Sequence, residues 1–133
     1  MEQIQLRNPA GFGQQITARS HQFVSDEPTS NGGGDTGPAP YELLLAGLAS
    51  CTSLTLRMYA QRKGWELGSI SIDAQIAKDA DGNEVIERRI SFGAELSDEQ
   101  RGRLAEIADK TPVTRTVRRG TTIHTTIDPV PAR

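Results

Sequence analysis

The stretch "YELLLAGLASCTSLTLRMYAQRKG", residues 41–64, decides the fold. It is rich in Leu and Ala, follows Pro40 and ends on Gly64. Proline suits a first helical turn, where its missing N–H would have had no partner, and glycine supplies the left-handed stop. The pattern predicts a helix over 40–63, the longest in the chain. Positions three, four and seven apart share a helix face, which lines up Leu44, Leu48, Cys51, Thr55 and Met58. Ala46, Gly47, Ala49, Ser50 and Ser53 are all small, so this helix is expected to pack closely against its own copy. Gly47 costs about 1 kcal/mol relative to Ala inside a helix, a cost that close packing would explain. Cys51 is the only cysteine. Unpaired cysteines are among the most buried residue types and usually inert. A reactive one needs a nearby cation or a helix N-terminus, and a mid-helix Cys51 has to find that help on another segment. From the residues alone, both readings stand.

Working outward, "QIQLR" (3–7) and "QQITARSHQFVSDEP" (14–28) show broken apolar/polar alternation, with Ile16 and Phe23 as inward candidates. Short antiparallel strands are expected there. "TSNGGGDTGPAP" (29–40) is too rich in Gly and Pro for regular structure and delivers the chain to the helix. Beyond Trp65, expected to anchor the helix end, "SISIDAQIAKDADGNEVIERRISFGAEL" (69–96) alternates on both sides of Asp81-Gly82 and reads as a β-hairpin. The "DADGNE" turn lacks the spacing of a calcium loop, and the "GGG" of 32–34 lacks the Lys-Ser/Thr of a phosphate loop. Ser97 is the N-cap of an amphipathic helix through "DEQRGRLAEIADK". Thr111 and Pro112 open a second short helix that stops at Gly120, and "TTIHTTI" (121–127) reads as a closing strand. The resulting order, βββ–α–ββ–α–α–β, implies an α+β domain in which an antiparallel sheet wraps helices. Residues 1–133 are read as one domain.

Composition narrows the function. The 133 residues carry a net charge of −2, with 35% hydrophobic residues and only one Trp, two Tyr and three Phe. That lean core points to completion by a second subunit. Interspersed charges without a basic stripe argue against nucleic-acid binding. No 18-residue apolar span and no signal-peptide pattern are read, so no membrane partner is expected. A single thiol excludes an internal disulfide and makes the cytoplasm the expected compartment. His21 and His124 lack further ligands at metal spacing, so no metal or other cofactor is expected.

Taken together, "SDEPTSNGGGDTGPAPYELLLAGLASCTSLTLRMYAQRKGWEL" (25–67) and "LSDEQRGRLAEIADKTPVTRTV" (96–117) resemble the OsmC/Ohr superfamily, in its OsmC-like redox-protein branch. The likeness runs over about residues 20–127. It implies an OsmC-like fold: an intertwined homodimer with paired central helices and active sites at the dimer interface. It also implies a cytoplasmic role in oxidative stress. There a peroxidatic cysteine attacks an organic hydroperoxide and a resolving cysteine then closes a disulfide. By this resemblance Cys51 matches the peroxidatic position, while Thr111 stands where the resolving cysteine belongs. The glutamate ten residues before the cysteine is replaced by Tyr41, leaving Glu42 as the nearest acid. Since one residue turns a helix by about 100°, Glu42 falls nearly opposite Cys51. Arg19 or Arg115 would supply the cation. Leu48, Met58 and Tyr41 are the candidate substrate contacts. Two functions follow: a one-cysteine peroxidase recycled by an external thiol, or a non-catalytic module binding an apolar small molecule at the dimer interface.

Overall fold

A computed structural model describes residues 1–130 of the chain. The order is β1 (Gln5–Arg7), β2 (Gln14–Ala18), β3 (His21–Ser25), a 3-10 turn (Thr29–Asn31), α1 (Pro40–Lys63), β4 (Ile70–Lys78), β5 (Glu84–Phe92), α2 (Asp98–Ala108) and α3 (Pro112–Arg119). Helix α1 begins and ends where Pro40 and Gly64 predict. Pro40 sits in its first turn, the Glu42 carboxylate accepts from the Ala39 N–H at 2.8 Å, and Gly64 closes it at φ 71°. Its buried residues are Leu48, Thr52, Leu56, Tyr59 and Ala60, a stripe at helical spacing that packs on β4, α2 and α3. By length and composition α1 could cross a membrane, with a mean hydropathy of 1.3, contrary to the expectation that no such span exists. Its packed stripe, centred on a buried threonine, is that of a core helix.

The hairpin is as expected. β4 and β5 pair from Ile70↔Phe92 to Lys78↔Glu84, and Gly82 turns at φ 82°. The Asp79 carboxylate accepts from the Asp81 and Asn83 amides, so this acidic stretch is a turn. Ser97 caps α2 in a reciprocal capping box with Gln100, and Thr111 caps α3 by accepting from the Thr114 N–H. The core gathers Leu56, Tyr59, Ala60, Leu67, Leu104 and Ala108. Trp65 packs edge-on to Tyr59 at 5.6 Å and so anchors the helix end.

Two expectations change. The antiparallel strands form two sheets, β1-β2-β3 and β4-β5, rather than one. Segment 121–127 forms no strand; Ile123 and Ile127 are 84% and 89% exposed. Its alternation is real, but strand propensity is expressed only against a pairing neighbour, and none of the described strands pairs with it. The three-stranded sheet is not among the main neighbours of α1. Leu6, Ile16 and Phe23 form one cross-strand row on it, in which Ile16 is buried while Leu6 and Phe23 stay exposed.

The loop joining that sheet to α1 is organised by Asp26. This carboxylate, 4% exposed, accepts from the Glu27 N–H at 2.7 Å, the Thr36 hydroxyl at 2.6 Å and the Thr36 N–H at 3.2 Å. Two glycines are sterically required beside it: a Cβ on Gly33 would collide with the Glu27 carbonyl, and one on Gly37 with the Val24 carbonyl. Backbone cannot yield as a flexible side chain can. Gly37→Ala is therefore expected to cost about 1–3 kcal/mol. Gly102→Ala on α2, whose Cβ meets nothing within 4 Å, is the control in the same denaturant titration. Equal stability of Gly37→Ala and the parent would refute the tight approach.

Bonding to Thr36, first through its hydroxyl, and to the Glu27 amide lowers the Asp26 pKa from 3.8, against the opposing effect of burial. A carboxylate with a depressed folded pKa stabilises the fold above its unfolded pKa of about 3.9, and that contribution is lost as pH falls through the folded value. Asp26→Asn is thus expected to be less stable than the parent at neutral pH, with the gap narrowing below about pH 4. Urea unfolding at several pH values checks it; a gap independent of pH would contradict it.

Candidate functional site

Cys51 is half-buried and unpaired, and its Sγ lies 4.0 Å from the Thr55 hydroxyl. One residue, about 100° of helix, separates it from Thr52 on the buried stripe. The thiol therefore sits where that stripe gives way to a second, uncovered flank. Leu44, Leu54 and Met58 on this flank are 41%, 58% and 59% exposed. Gly47 adjoins it and faces open space.

Beneath the Cys51 turn lies a buried polar cluster. Thr52, completely buried, donates to the Leu48 carbonyl at 2.7 Å. Thr111, also completely buried, donates to the Thr114 hydroxyl at 2.6 Å, and Thr114 in turn donates to the Ala108 carbonyl at 3.3 Å. Arg88 of β5 joins these residues. Its Nη1 donates to the Thr52 and Thr114 hydroxyls at 2.8 and 3.0 Å, and its Nη2 to the Ala108 carbonyl at 3.2 Å. Asp109 stands 3.5 Å from Nη2. The arrangement ties β5, α1 and the start of α3 together, and every buried side-chain nitrogen and oxygen among the described residues is satisfied.

The sequence-derived candidates divide accordingly. Thr111 enters the cluster next to the Cys51 turn. Leu48, 4% exposed, belongs to the core stripe, whereas Met58 and Tyr41 are exposed. Glu42 caps its own helix. Arg19 lies in the β2–β3 turn at φ 56°, and Arg115 is exposed on α3. Among the described residues neither arginine nor Glu42 hydrogen-bonds Cys51, whose single such contact is Thr55. Arg88 was not among the candidates. Its signal was parity: Ile86, Arg88, Ile90 and Phe92 alternate along one side of β5, so the arginine occupies an inward position of an apolar row.

Among the described residues the architecture is that of an α+β domain with antiparallel sheets, three α-helices and a thiol on the longest of them. The model of the family described as OsmC-like protein matches residues 32–126. The chain belongs to this OsmC-like family. Its fold resembles a Psychrobacter arcticus protein named for osmotic stress induction and a detoxification response (TM-score 0.75, 19% identity, covering 87% of this chain and 88% of that one). It also resembles an OsmC-like protein from Mycoplasma pneumoniae (TM-score 0.69, 17% identity, 89% and 87% covered). The organic hydroperoxide resistance protein OhrB of Bacillus subtilis is a third such structure (TM-score 0.62, 24% identity, 89% and 90% covered). At these identities the likeness is one of fold. No curated protein matches the sequence.

Proposed function

We propose that the chain is a one-cysteine thiol peroxidase, a homodimer in which Cys51 reduces organic hydroperoxides. The observation that carries this reading is the unpaired, half-buried Cys51 on an apolar helix flank that the chain itself leaves uncovered. The similar Bacillus subtilis structure, named for organic hydroperoxide resistance, supports the substrate class. The thiolate sulfur attacks one peroxide oxygen; the S–O bond forms, the O–O bond breaks, and the second oxygen leaves as an alcohol after taking a proton. Sulfur is oxidised to sulfenic acid and the peroxide is reduced. A hydroxyl at Thr111 cannot close a disulfide. An external thiol therefore condenses with the sulfenic acid, releasing water, and a second equivalent displaces Cys51 as thiolate while forming the reductant's disulfide.

The uncovered flank of α1 and the Leu6–Phe23 row of the three-stranded sheet support intertwining with a second copy. In such a dimer the exposed Arg19 and Arg115 of one protomer would approach the thiol of its partner, and the exposed Met58 and Tyr41 would flank the apolar approach. A cytoplasmic location fits the unpaired thiol. Treatment with an organic hydroperoxide should add one oxygen at Cys51, seen by intact-mass and peptide mapping and reversed by added thiol. No oxygen at Cys51 would sink the proposal.

A second reading has its own observation. An open concavity of about 600 Å³ is lined by Leu56, Ile90, Phe92, Leu96 and Leu104, with Arg101 and Glu95 among its polar residues. It suits an apolar small molecule and needs no thiol chemistry.

A further inference from the structure

We infer that Met58 is a second site of oxidation on the flank that carries Cys51, and that its sulfoxide loosens the contact this flank makes with a second copy. The inference goes beyond the thiol chemistry proposed above. It rests on that reading for hydroperoxide as the oxidant and for α1 as a pairing surface.

The chain holds two methionines, Met1 and Met58. Seven residues carry a helix to within about 20° of two full turns, with about 10 Å of rise. Met58 therefore stands on almost the same line of α1 as Cys51, with Thr55, the thiol's polar contact, between them. Leu54 adjoins this line and Leu44 continues it, both exposed. Two sulfurs thus share one apolar strip. Apolar surface gathers apolar solutes from water, so a strip that gathers a hydroperoxide for one sulfur gathers it for the other. Met58 is the more open of the two, 59% exposed where Cys51 is half-buried. It takes no part in the core cluster, which draws on Leu56, Tyr59 and Ala60 of the same helix. A leucine would supply the same apolar surface; what methionine adds is a polarisable sulfur that peroxides oxidise.

The thioether sulfur attacks the terminal peroxide oxygen. The S–O bond forms, the O–O bond breaks, and the proton of that oxygen passes to the departing alkoxide, which leaves as an alcohol. Sulfur is oxidised by two electrons to the sulfoxide and the peroxide is reduced, with no further reactant. The product is polar where the thioether was apolar. On a strip shared with Leu44 and Leu54 it sets a strong acceptor against the apolar face of a second copy, and burying such a group without a donor is costly. Excess peroxide thereby opens the pairing.

The test uses Cys51→Ser, in which no thiol consumes the peroxide. Cumene hydroperoxide, which is apolar, should oxidise Met58 several-fold faster than Met1 by peptide mapping, although Met1 is fully exposed. With hydrogen peroxide, which apolar surface does not gather, Met1 should be oxidised at least as fast as Met58. After oxidation, sedimentation equilibrium should show a several-fold weaker dimer, restored by methionine sulfoxide reductase. Met58→Leu in the same background should keep its association through the same treatment. Met1 outpacing Met58 with cumene hydroperoxide would overturn the proposal. So would an association unchanged by complete oxidation of Met58, or a loss that Met58→Leu shares. The parent protein separates this inference from the reading beneath it. Oxygen gained at Cys51 without the Met58 effects overturns the inference alone; the Met58 effects without oxygen at Cys51 overturn the peroxidase reading alone.

Discussion

Cys51→Ser is expected to bring hydroperoxide consumption, measured with a dithiol as reductant, down to the rate of the dithiol alone. Serine has nearly the size of cysteine, and the thiol's single polar contact is Thr55 at 4.0 Å, so the melting transition should hardly move. Half-buried sites without a bonded network rarely cost more than about 1 kcal/mol on so small a change. The hydroxyl cluster under the neighbouring turn is untouched by the substitution. What disappears is the sulfur nucleophile itself, the single thiol of the chain. Equal consumption by the parent and Cys51→Ser would remove the peroxidase reading. Saturable binding of an apolar molecule by both proteins would then favour the second one.

Leu56→Ala is expected to cost about 2–5 kcal/mol of unfolding free energy, a loss large enough to threaten folding in a domain of this size. Leu56 is completely buried in the cluster with Tyr59, Leu67, Leu104 and Ala108, and it also borders the open concavity. Its stripe is fixed on three sides by β4, α2 and α3, so the space left behind has little means to collapse, which favours the upper part of the range. Urea unfolding should show a lower midpoint at unchanged slope. Ile127→Ala, 89% exposed beyond α3, should change stability by about 0.5 kcal/mol or less. A loss below about 1 kcal/mol for Leu56→Ala would mean that the interior repacks freely around it.

Much of this was legible in the sequence because local chemistry wrote it. Pro40 and Gly64 bound α1, Ser97 with Gln100 and Thr111 with Pro112 open α2 and α3, and Gly82 turns the hairpin. Each is a signal contained within a few residues. What failed to show depended on distant partners. Ile123 and Ile127 alternate as in a strand, yet strand formation needs a neighbour that no local pattern names. Leu48 shares a helical stripe with Cys51 on paper, but only the packing of α1 shows that the core stripe runs through Thr52 and Leu56 instead. Arg88 was hidden for another reason: an arginine in a strand reads as solvent-facing, and its inward parity acquires meaning only when Thr52, Thr114 and the Ala108 carbonyl arrive from three other segments. Arg19, on a turn between early strands, and Arg115, just after Thr111, entered as candidates for the cation the resemblance implies, and position in the sequence is a poor guide to which cation lies under a helix.

The packing of α1 also bears on how the protein is made. The main neighbours of its buried stripe, β4, α2 and α3, and β5, whose Arg88 bonds Thr52, all lie C-terminal to it. A nascent chain emerging from the ribosome can close β1–β3 early, since those strands pair with their immediate neighbours. Leu56 and Tyr59 then lack their α2 partners Leu104 and Ala108 until that helix has been synthesised, which makes the half-made chain, rather than the finished one, the natural client of a chaperone.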